Sequence, residues 1–330
     1  MSAHATVAVV QAAPVPFDRA AAVARVAQLA EQAAAAGAQL ALFPEAYVPA
    51  YPWGLIFGTR VGGRTRTGRR MFERYWANSV DVPGPACNAL GDAAHAAGIH
   101  LAVGVVERDT QFSAGTLYCT LLYFGPDGAL LGKHRKLKPT AAERLIWGEG
   151  DGSTLGVIDT PIGRLGGLIC WENYMPLARM TVYAKGVQLY LAPTADARDS
   201  WQATLRHIAC EGRCFVLGCN QYVTREMYPA DLPGHEELNG GPAVLCRGGS
   251  AIVGPLGEYL AGPLWDEEGM LLAELDLDEL PRARFDFDVA GHYARPDVFR
   301  LIVNERAAAP IEALPLDDAS AAQQHPELRS

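Results

Sequence analysis

Three residues with reactive side chains each follow a short apolar run that predicts a buried strand. Glu45 comes after QLALF at 39–43, Lys136 follows ALLGKHR at 129–135, and Cys170 follows RLGGLI at 164–169. In open α/β sheets, ligands bind beyond the carboxyl ends of the strands. We therefore expect the three side chains to converge in one crevice.

A glutamate, a lysine and a cysteine at one site permit nucleophilic attack on an electrophilic carbon. A thiol attacks only as the thiolate, so it needs a neighbouring base or a positive field. Glu45 is suited to take the thiol proton if burial raises its pKa towards neutrality, and Lys136 is suited to stabilise the negative charge that develops. Glu143, seven residues after Lys136, is predicted to orient the lysine or to position a water.

Each of these residues also has an ordinary structural explanation. A single cysteine after a strand more often fills the core, and a glutamate after Phe-Pro is often a helix or turn charge. Lys136 stands in the basic run KHRKLK, which is typical of a solvated face. The combination, rather than any one residue, indicates a catalytic site.

The composition limits the classes of function. The chain has 330 residues, 49% of them hydrophobic, which is ample for a large core. A net charge of -9 and a pI near 5.4 argue against general affinity for nucleic acid or an anionic membrane. No secretory signal and no apolar run of about 20 residues stands out. Seven cysteines without a disulfide framework indicate a reducing compartment, so we expect a cytoplasmic protein.

Strands that alternate with helices and are interrupted by hairpins predict a mixed α/β protein. The predicted strands are 6–12, 39–43, 100–106, 116–124, 129–133, 165–169, 188–192, 215–219, 250–253, 258–261 and 270–276, and the predicted helices are 17–36, 86–97, 177–185 and 200–213. The Gly- and Arg-rich stretch 59–70 is predicted to be a loop. One domain over 1–305 and a flexible C-terminal tail over 306–330 are expected.

Three segments resemble the signature blocks of the nitrilase family: FPEAYVPAYPWG at 43–54, KHRKLKPTAAERLIWGEGDG at 133–152 and GGLICWENYMPL at 166–177. The similarity extends to 192–196, 207–216 and 291–299, and so covers the chain up to about residue 305. It implies an α-β-β-α sandwich of two mixed sheets flanked by helices. By motif, Glu45 matches the family's general base, Lys136 its catalytic lysine, Cys170 its nucleophile and Glu143 its second glutamate.

The sequence around the lysine and the cysteine is similar to the nitrile-hydrolysing branch of that family. The resemblance implies hydrolysis of an organic nitrile to the carboxylic acid and ammonia through a thioimidate and an acyl-enzyme on Cys170, without a metal or other cofactor. An amidase or carbamoylase-type enzyme with the same Glu-Lys-Cys set is an alternative. A cyanide-degrading enzyme and a non-catalytic filament protein are further alternatives.

Four residues near the proposed site are predicted to contact the substrate. Tyr51 and Trp53 lie on a proline-broken loop, Trp171 follows the nucleophile, and Thr194 belongs to the segment APTAD. Core packing or loop anchoring is the alternative for the aromatic residues. The resemblance also implies a homodimer that assembles into a larger homo-oligomer or spiral. The expected partners are thus a small nitrile, water and further copies of the chain, with no nucleic acid and no membrane.

Other motifs carry less weight. His207, Cys210 and Cys214 share one face of a predicted helix and have zinc-ligating side chains. No second ligand pair stands at a recognised spacing, so a packed helix face with small thiols is the favoured interpretation. The chain lacks the serine-hydrolase motif G-x-S-x-G and the glycine spacing of nucleotide-binding loops.

Overall fold

The structure is a computed structural model that describes residues 4–311. Its strands are β1 (His4–Gln11), β2 (Leu40–Leu42), β3 (Thr59–Arg60), β4 (Gly63–Arg64), β5 (Val80–Asp81), β6 (His100–Arg108), β7 (Leu117–Phe124), β8 (Leu130–Arg135), β9 (Val157–Thr160), β10 (Gly163–Gly167), β11 (Leu189–Pro193), β12 (Phe215–Cys219), β13 (Tyr222–Thr224), β14 (Val244–Val253), β15 (Tyr259–Trp265) and β16 (Gly269–Asp276). Its α-helices are α1 (Arg19–Ala35), α2 (Arg66–Asn78), α3 (Pro85–Ala97), α4 (Pro176–Ala184), α5 (Asp199–Gly212) and α6 (Glu279–Ala283).

Two mixed sheets, each of seven strands within residues 4–311, form the centre of the molecule. Sheet I has the order β16-β1-β2-β6-β7-β8 with β5 beside β6, and sheet II has the order β13-β14-β12-β11-β10-β9 with β15 beside β14. Strands β2 and β6 are parallel, β7 is antiparallel to both β6 and β8, and β8 therefore runs in the same direction as β2. The carboxyl ends of β2 and β8 thus lie at the same edge of sheet I.

Both faces of each sheet are buried, which produces four layers. Along β1, Val7 and Val9 belong to the core between the sheets, whereas Ala8 and Val10 belong to the core under the helices. This alternation follows from the two-residue period of a strand. Helices α1 and α3 cover the outer face of sheet I, and α4 and α5 cover the outer face of sheet II. The predicted α-β-β-α sandwich is confirmed.

Local sequence signals set the ends of the covering helices. The Asp18 side chain accepts a hydrogen bond from the amide of Ala21 and so caps the start of α1. Pro85 occupies the first turn of α3, where it costs no hydrogen bond, and Gly98 ends that helix in the left-handed conformation at φ +66°. The buried residues of α1, Ala22, Val26, Ala30 and Ala33, recur at helical spacing.

Two of the predicted elements are wrong in ways that affect the site. The strand predicted at 165–169 is β10, which ends at Gly167, so two residues separate it from Cys170. The loop predicted at 59–70 instead contains the hairpin β3–β4 and the first turns of α2. Thr65 caps this helix, and Met71 and Tyr75 bury one face of it although arginines dominate its composition. The glycine and arginine content concealed that periodic face.

A close approach between β6 and the chain that follows β2 explains one glycine. A Cβ atom on Gly104 would lie 2.1 Å from the Pro44 carbonyl oxygen and 2.8 Å from the Glu45 Cα. No side chain fits there without moving that backbone. Strand β6 therefore supports the segment that carries Glu45 by direct backbone contact.

The C-terminal part of the chain follows α6 along the surface. Residues 306–311, the described part of the predicted tail, are exposed and contain no helix or strand, and 312–330 lie outside the described residues. Within 4–311, no helix has both the length and the apolar character needed to cross a bilayer.

Candidate active site

The ends of three strands bring Glu45, Lys136 and Cys170 together. Glu45 lies three residues beyond β2, and Lys136 follows directly after β8 at the same edge of sheet I. Cys170 begins a 3-10 helix (Cys170–Tyr174) that follows β10 of sheet II. Because the two sheets face each other across one core, the three side chains meet between them.

Lys136 is the centre of a buried charge cluster. Its Nζ lies 2.6 Å from Glu45 Oε1 and 2.7 Å from Glu143 Oε2, and Lys136 has no exposed surface. The amide of Thr140 donates to Glu143 Oε2 at 2.6 Å, and the Tyr51 hydroxyl donates to Glu143 Oε1 at 2.7 Å. A buried charge is costly unless it is paired and hydrogen-bonded, and the ammonium meets that condition through two carboxylates.

The cluster changes the proton affinity of each member. Burial raises the pKa of Glu45 to about 7, although the positive charge of Lys136 opposes this effect. Burial alone would lower the pKa of Lys136, but the nearby carboxylates, Glu45 foremost, raise it well above its ordinary value. Lys136 is therefore an ammonium at neutral pH, and Glu45 exchanges its proton near neutrality, which is the property expected of a general base.

The Cys170 thiol lies next to this carboxylate. Burial and the negative charge of Glu45 raise the pKa of the Cys170 thiol above its ordinary value. Glu45 Oε1 is occupied by Lys136 and lies 3.6 Å from the Cys119 sulfur, whereas Oε2 is buried without a partner at normal hydrogen-bonding geometry. The Cys170 thiol is near enough to lower the pKa of Glu45 through a hydrogen-bonding interaction. Oε2 is thus the atom available to accept the thiol proton.

The backbone at Cys170 is strained. Cys170 has φ +53°, a left-handed conformation that costs free energy for any residue with a Cβ atom. The Asn173 side-chain amide donates to the carbonyl oxygens of Leu168 and Cys170 at 2.9 and 2.8 Å, and its oxygen accepts from the Tyr190 hydroxyl at 2.8 Å. These bonds hold the tight turn that presents the sulfur.

Glu172 joins the two strand ends, a role for which the sequence analysis named no residue. Its buried carboxylate accepts hydrogen bonds from the amide of Leu137 at 2.6 Å, from the amide of Ile169 at 2.8 Å and from His134 Nε2 at 3.1 Å. Leu137 follows Lys136, and Ile169 precedes Cys170, so one side chain fixes the lysine relative to the nucleophile. The signal was present, because an ionisable residue stands two positions after the cysteine in a segment otherwise suited to burial.

A cavity of about 550 Å³ opens beside the thiol. Its lining includes Glu143, Cys170 and three of the four residues predicted to contact substrate, namely Tyr51, Trp53 and Trp171. The fourth, Thr194, is buried behind the nucleophile, and its hydroxyl lies 3.1 Å from the Cys170 sulfur. The rest of the lining is Thr140, Ala195, Asp196, Ala197, Arg198, Val244, Leu245, Arg247 and Asp266.

The wall of this cavity is held in place by polar contacts. Trp171 Nε1 donates to Asp196 Oδ2 at 2.8 Å, and the Arg198 guanidinium lies 4.7 Å from the centre of the Trp171 ring. The Tyr51 and Trp53 rings pack against each other with their centres 4.7 Å apart. The aromatic residues therefore combine loop anchoring with exposure to the cavity.

Of the three residues considered for zinc, His207 and Cys210 lie on α5, outside this cavity, whereas Cys214 lies beyond the end of that helix at Gly212, so the expected shared helix face does not form. His207 Nε2 is 3.5 Å from Glu211 Oε1, the Cys210 thiol donates to the Leu256 carbonyl oxygen at 3.4 Å, and Cys214 is buried. Among residues 4–311, no three His, Cys, Asp or Glu side chains are grouped so as to hold a metal ion.

Comparison with known proteins places the chain in a family. Residues 6–285 match the carbon-nitrogen hydrolase family, a span that contains the whole Glu45, Lys136, Glu143 and Cys170 cluster. The chain belongs to the carbon-nitrogen hydrolase family. This agrees with the resemblance found in the sequence.

The curated relatives of this carbon-nitrogen hydrolase include several nitrilases. An aliphatic nitrilase of Sinorhizobium fredii is 57% identical over 298 residues, which is 90% of this chain and 95% of that protein. A bifunctional nitrilase/nitrile hydratase of Nicotiana tabacum is 50% identical over 307 residues, 92% of this chain and 87% of that protein. High identity over almost the full length of both proteins relates this chain to the nitrilase branch.

Solved structures share the fold at lower identity. A carbon-nitrogen hydrolase of Helicobacter pylori G27 superposes with a TM-score of 0.69 at 22% identity, covering 90% of this chain and 97% of that one. An amidase of Nesterenkonia sp. AN1 gives a TM-score of 0.64 at 23% identity and covers 85% and 94% of the two chains. These matches support the α-β-β-α architecture.

We predict that Glu172→Gln lowers both the stability and the catalytic efficiency of this carbon-nitrogen hydrolase. A glutamine has one acceptor oxygen, and its NH₂ group would face an N–H donor, so at least one of the three hydrogen bonds is lost. Loss of a buried hydrogen-bonded charge should lower the free energy of unfolding by about 3 kcal/mol. Misplacement of Lys136 relative to Cys170 should lower kcat/KM by about 100-fold. Urea unfolding and steady-state ammonia release measure the two effects.

Glu107→Gln is the matched control. Glu107 is also a buried carboxylate and accepts hydrogen bonds from Lys133, Arg135 and Thr120, but it does not bridge the lysine and the cysteine. It should lose similar stability and keep most of its activity. Wild-type kcat/KM in Glu172→Gln, or an equal loss in both variants, would contradict a positioning role for Glu172.

Proposed function

We propose that this protein is a nitrilase that hydrolyses an organic nitrile to the carboxylic acid and ammonia. The observation that carries the proposal is the placement of the Cys170 thiol between a cavity and Glu45, a base whose pKa burial raises to about 7. The choice of a nitrile over an amide is supported by 57% identity to an aliphatic nitrilase and 50% identity to a bifunctional nitrilase/nitrile hydratase.

The first half of the mechanism forms a covalent thioimidate. Glu45 Oε2 takes the thiol proton, and the Cys170 sulfur attacks the nitrile carbon as the C≡N bond becomes C=N. Glu45 then gives this proton to the nitrile nitrogen and becomes a carboxylate again, while the Lys136 ammonium stabilises the negative charge that develops on nitrogen.

The second half releases the products. Water, deprotonated by Glu45, adds to the thioimidate carbon and gives a tetrahedral intermediate that carries OH, NH₂ and the sulfur. Proton transfer to nitrogen breaks the C–N bond, so ammonia leaves and a thioester remains. A second water cleaves the thioester to the carboxylic acid and restores the thiol. Glu143 holds Lys136 in place and faces the cavity, where it can position a water.

Release of some amide is a second outcome that a specific observation favours. The tetrahedral intermediate can break its C–S bond instead of its C–N bond, and this expels the thiolate and leaves an amide. The relative from Nicotiana tabacum carries both nitrilase and nitrile hydratase in its name. We include amide formation in the proposed activity as a minor route.

Ammonia release from nitriles and from the matching amides tests the proposal. The panel covers aryl, arylacetic, aliphatic and cyano-amino-acid compounds, plus free cyanide, with wild type and Cys170→Ala. We expect ammonia from at least one nitrile and none from the variant, because no other group replaces the thiolate. Ammonia from amides alone would assign an amidase, and ammonia from cyanide alone a cyanide-degrading enzyme. If no compound releases ammonia and no covalent adduct forms on Cys170, the protein is non-catalytic.

The pH dependence follows from Glu45. A base with a pKa of about 7 is protonated at lower pH and cannot take the thiol proton. We therefore expect kcat/KM for a neutral nitrile to fall towards tenfold per pH unit below about pH 7 and to level off above it. Stopped assays in constant-ionic-strength buffers give the profile. A rate independent of pH between about 5 and 8 would contradict the assigned base.

We also propose that the chain forms a homodimer that builds larger assemblies. The surface beyond α6 exposes large apolar side chains, with Phe285, Phe299 and Ile302 each more than three-quarters exposed. Such side chains on one segment indicate a protein contact. Val289 and Val303 of this segment pack against the core under α4 and α5, so the contact face would include these helices.

Light scattering measures the assembly. We expect wild type at a multiple of the 35.4 kDa chain mass and the double variant Phe299→Asp and Ile302→Asp at a smaller mass. Both side chains are exposed, so the substitutions should leave the fold of one subunit intact. A wild-type monomer would contradict the proposal.

Two further assignments remain proposals. The seven cysteines are all free thiols, which supports a reducing, cytoplasmic location. A single catalytic domain over 1–305 followed by a tail over 306–330 is supported by the family match to residues 6–285.

A further inference from the structure

The Cys170 sulfur has a polar neighbour that the mechanism above does not use. Thr194 follows directly after β11 and is almost fully buried, and its Oγ1 lies 3.1 Å from the Cys170 Sγ. The backbone amide of Asp196 donates to the same Oγ1 at 2.9 Å. Since that amide occupies an acceptor position of the hydroxyl, the hydroxyl proton is free to point at the sulfur.

A donor in this position acts on the charged state of the sulfur. A hydrogen bond to an ionised group is about twice as strong as one to a neutral group. The hydrogen bond from Thr194 lowers the pKa of the Cys170 thiol, in opposition to the larger effect of burial, which raises it. The positive charge of Lys136 also lowers the pKa of this thiol, whereas the negative charge of Glu143 raises it, so Thr194 supplies a direct hydrogen bond beside these longer-range effects.

We propose that the Thr194 hydroxyl is a catalytic group that stabilises the Cys170 thiolate as a leaving group and thereby sets the ratio of amide to acid. The proposal rests on the nitrilase function proposed above. It assigns Thr194 to the sulfur, whereas the sequence suggested a contact with substrate.

The bonds that break explain the selectivity. In the acid route, the tetrahedral intermediate transfers a proton to nitrogen and breaks its C–N bond, so the sulfur stays covalently bound and uncharged. In the amide route, the C–S bond breaks, the sulfur keeps the electron pair as thiolate, and the OH group gives its proton to Glu45 and becomes the amide carbonyl. Thr194 stabilises only the second of these transition states.

The same donor assists the last step of the acid route. Hydrolysis of the thioester passes through a second tetrahedral intermediate, which also expels the thiolate with its electron pair. Without the hydroxyl, this step becomes slower and the acyl-enzyme accumulates. Loss of the donor should therefore lower the amide share and raise the acyl-enzyme level at the same time.

Thr194→Val tests the proposal, because valine keeps the shape and removes the hydroxyl. The products of one hydrolysed nitrile are separated by chromatography, and the acyl-enzyme is measured by intact mass after acid quench. We expect an amide-to-acid ratio on the order of tenfold lower, with more acyl-enzyme at steady state. Thr194→Ser retains the donor and should restore both values towards wild type.

Two further variants keep the result interpretable. Thr181→Val removes a buried hydroxyl that donates to the Leu177 carbonyl oxygen within α4, away from the sulfur, and should leave the product ratio unchanged. Thr194→Ala replaces the valine variant if the latter does not fold, as judged by circular dichroism.

The outcomes separate this proposal from the one on which it rests. A ratio that is unchanged or higher in the folded variant, without added acyl-enzyme, overturns the role of Thr194 while nitrile hydrolysis stands. If wild type forms no measurable amide, the acyl-enzyme level is the test: a level in Thr194→Val equal to that of wild type overturns the role of Thr194. Absence of nitrile hydrolysis by wild type overturns the proposed function and this inference together.

Discussion

Burial of the Lys136 ammonium is the constraint on which the active site depends. The Lys136 side chain has no exposed surface, so the fold must supply carboxylates to pair with its charge, and it does so with Glu45 and Glu143. Burial of the Glu45 carboxylate, together with the negative charge of Glu143, outweighs the opposing charge of Lys136 and makes a proton on Glu45 favourable near neutral pH. Burial of the cluster thus gives Glu45 a pKa suited to accepting a thiol proton at neutral pH.

The cluster and the nucleophile lie on different sheets, so their relative position depends on contacts between the sheets. Apolar packing sets the spacing of the sheets but does not fix side chains in register along them. Glu172 adds directional bonds, because its carboxylate binds the amides next to Lys136 and next to Cys170. The buried partner His134 gives this carboxylate a third hydrogen bond. These directional hydrogen bonds, inside an apolar interface, therefore fix the position of Lys136 relative to Cys170.

The backbone of Cys170 is strained, and the strain is confined to one turn. Cys170 has a positive φ, and Asn173 holds the turn through two carbonyl oxygens. The strained turn presents the sulfur towards the cavity, Glu45 and Thr194, which lie on separate elements. Strand β10 before the turn and helix α4 after it anchor its two ends and oppose its relaxation. The site thus combines a fixed framework with one strained residue.

The sequence by itself determined the mixed α/β class, because two-residue and 3.6-residue periodicities report directly which faces are buried, and the α-β-β-α layering followed from the family resemblance. It also indicated Glu45, Lys136, Glu143 and Cys170, since reactive residues at strand ends and family motifs are local patterns. Helix α2 and the early end of β10 were missed where composition or a glycine pair concealed the local signal. Only the tertiary structure decided that Glu172 bridges both sheets and that Thr194 contacts the sulfur. These contacts join residues that are 35 and 24 positions apart, and such distances leave no periodic trace in the sequence.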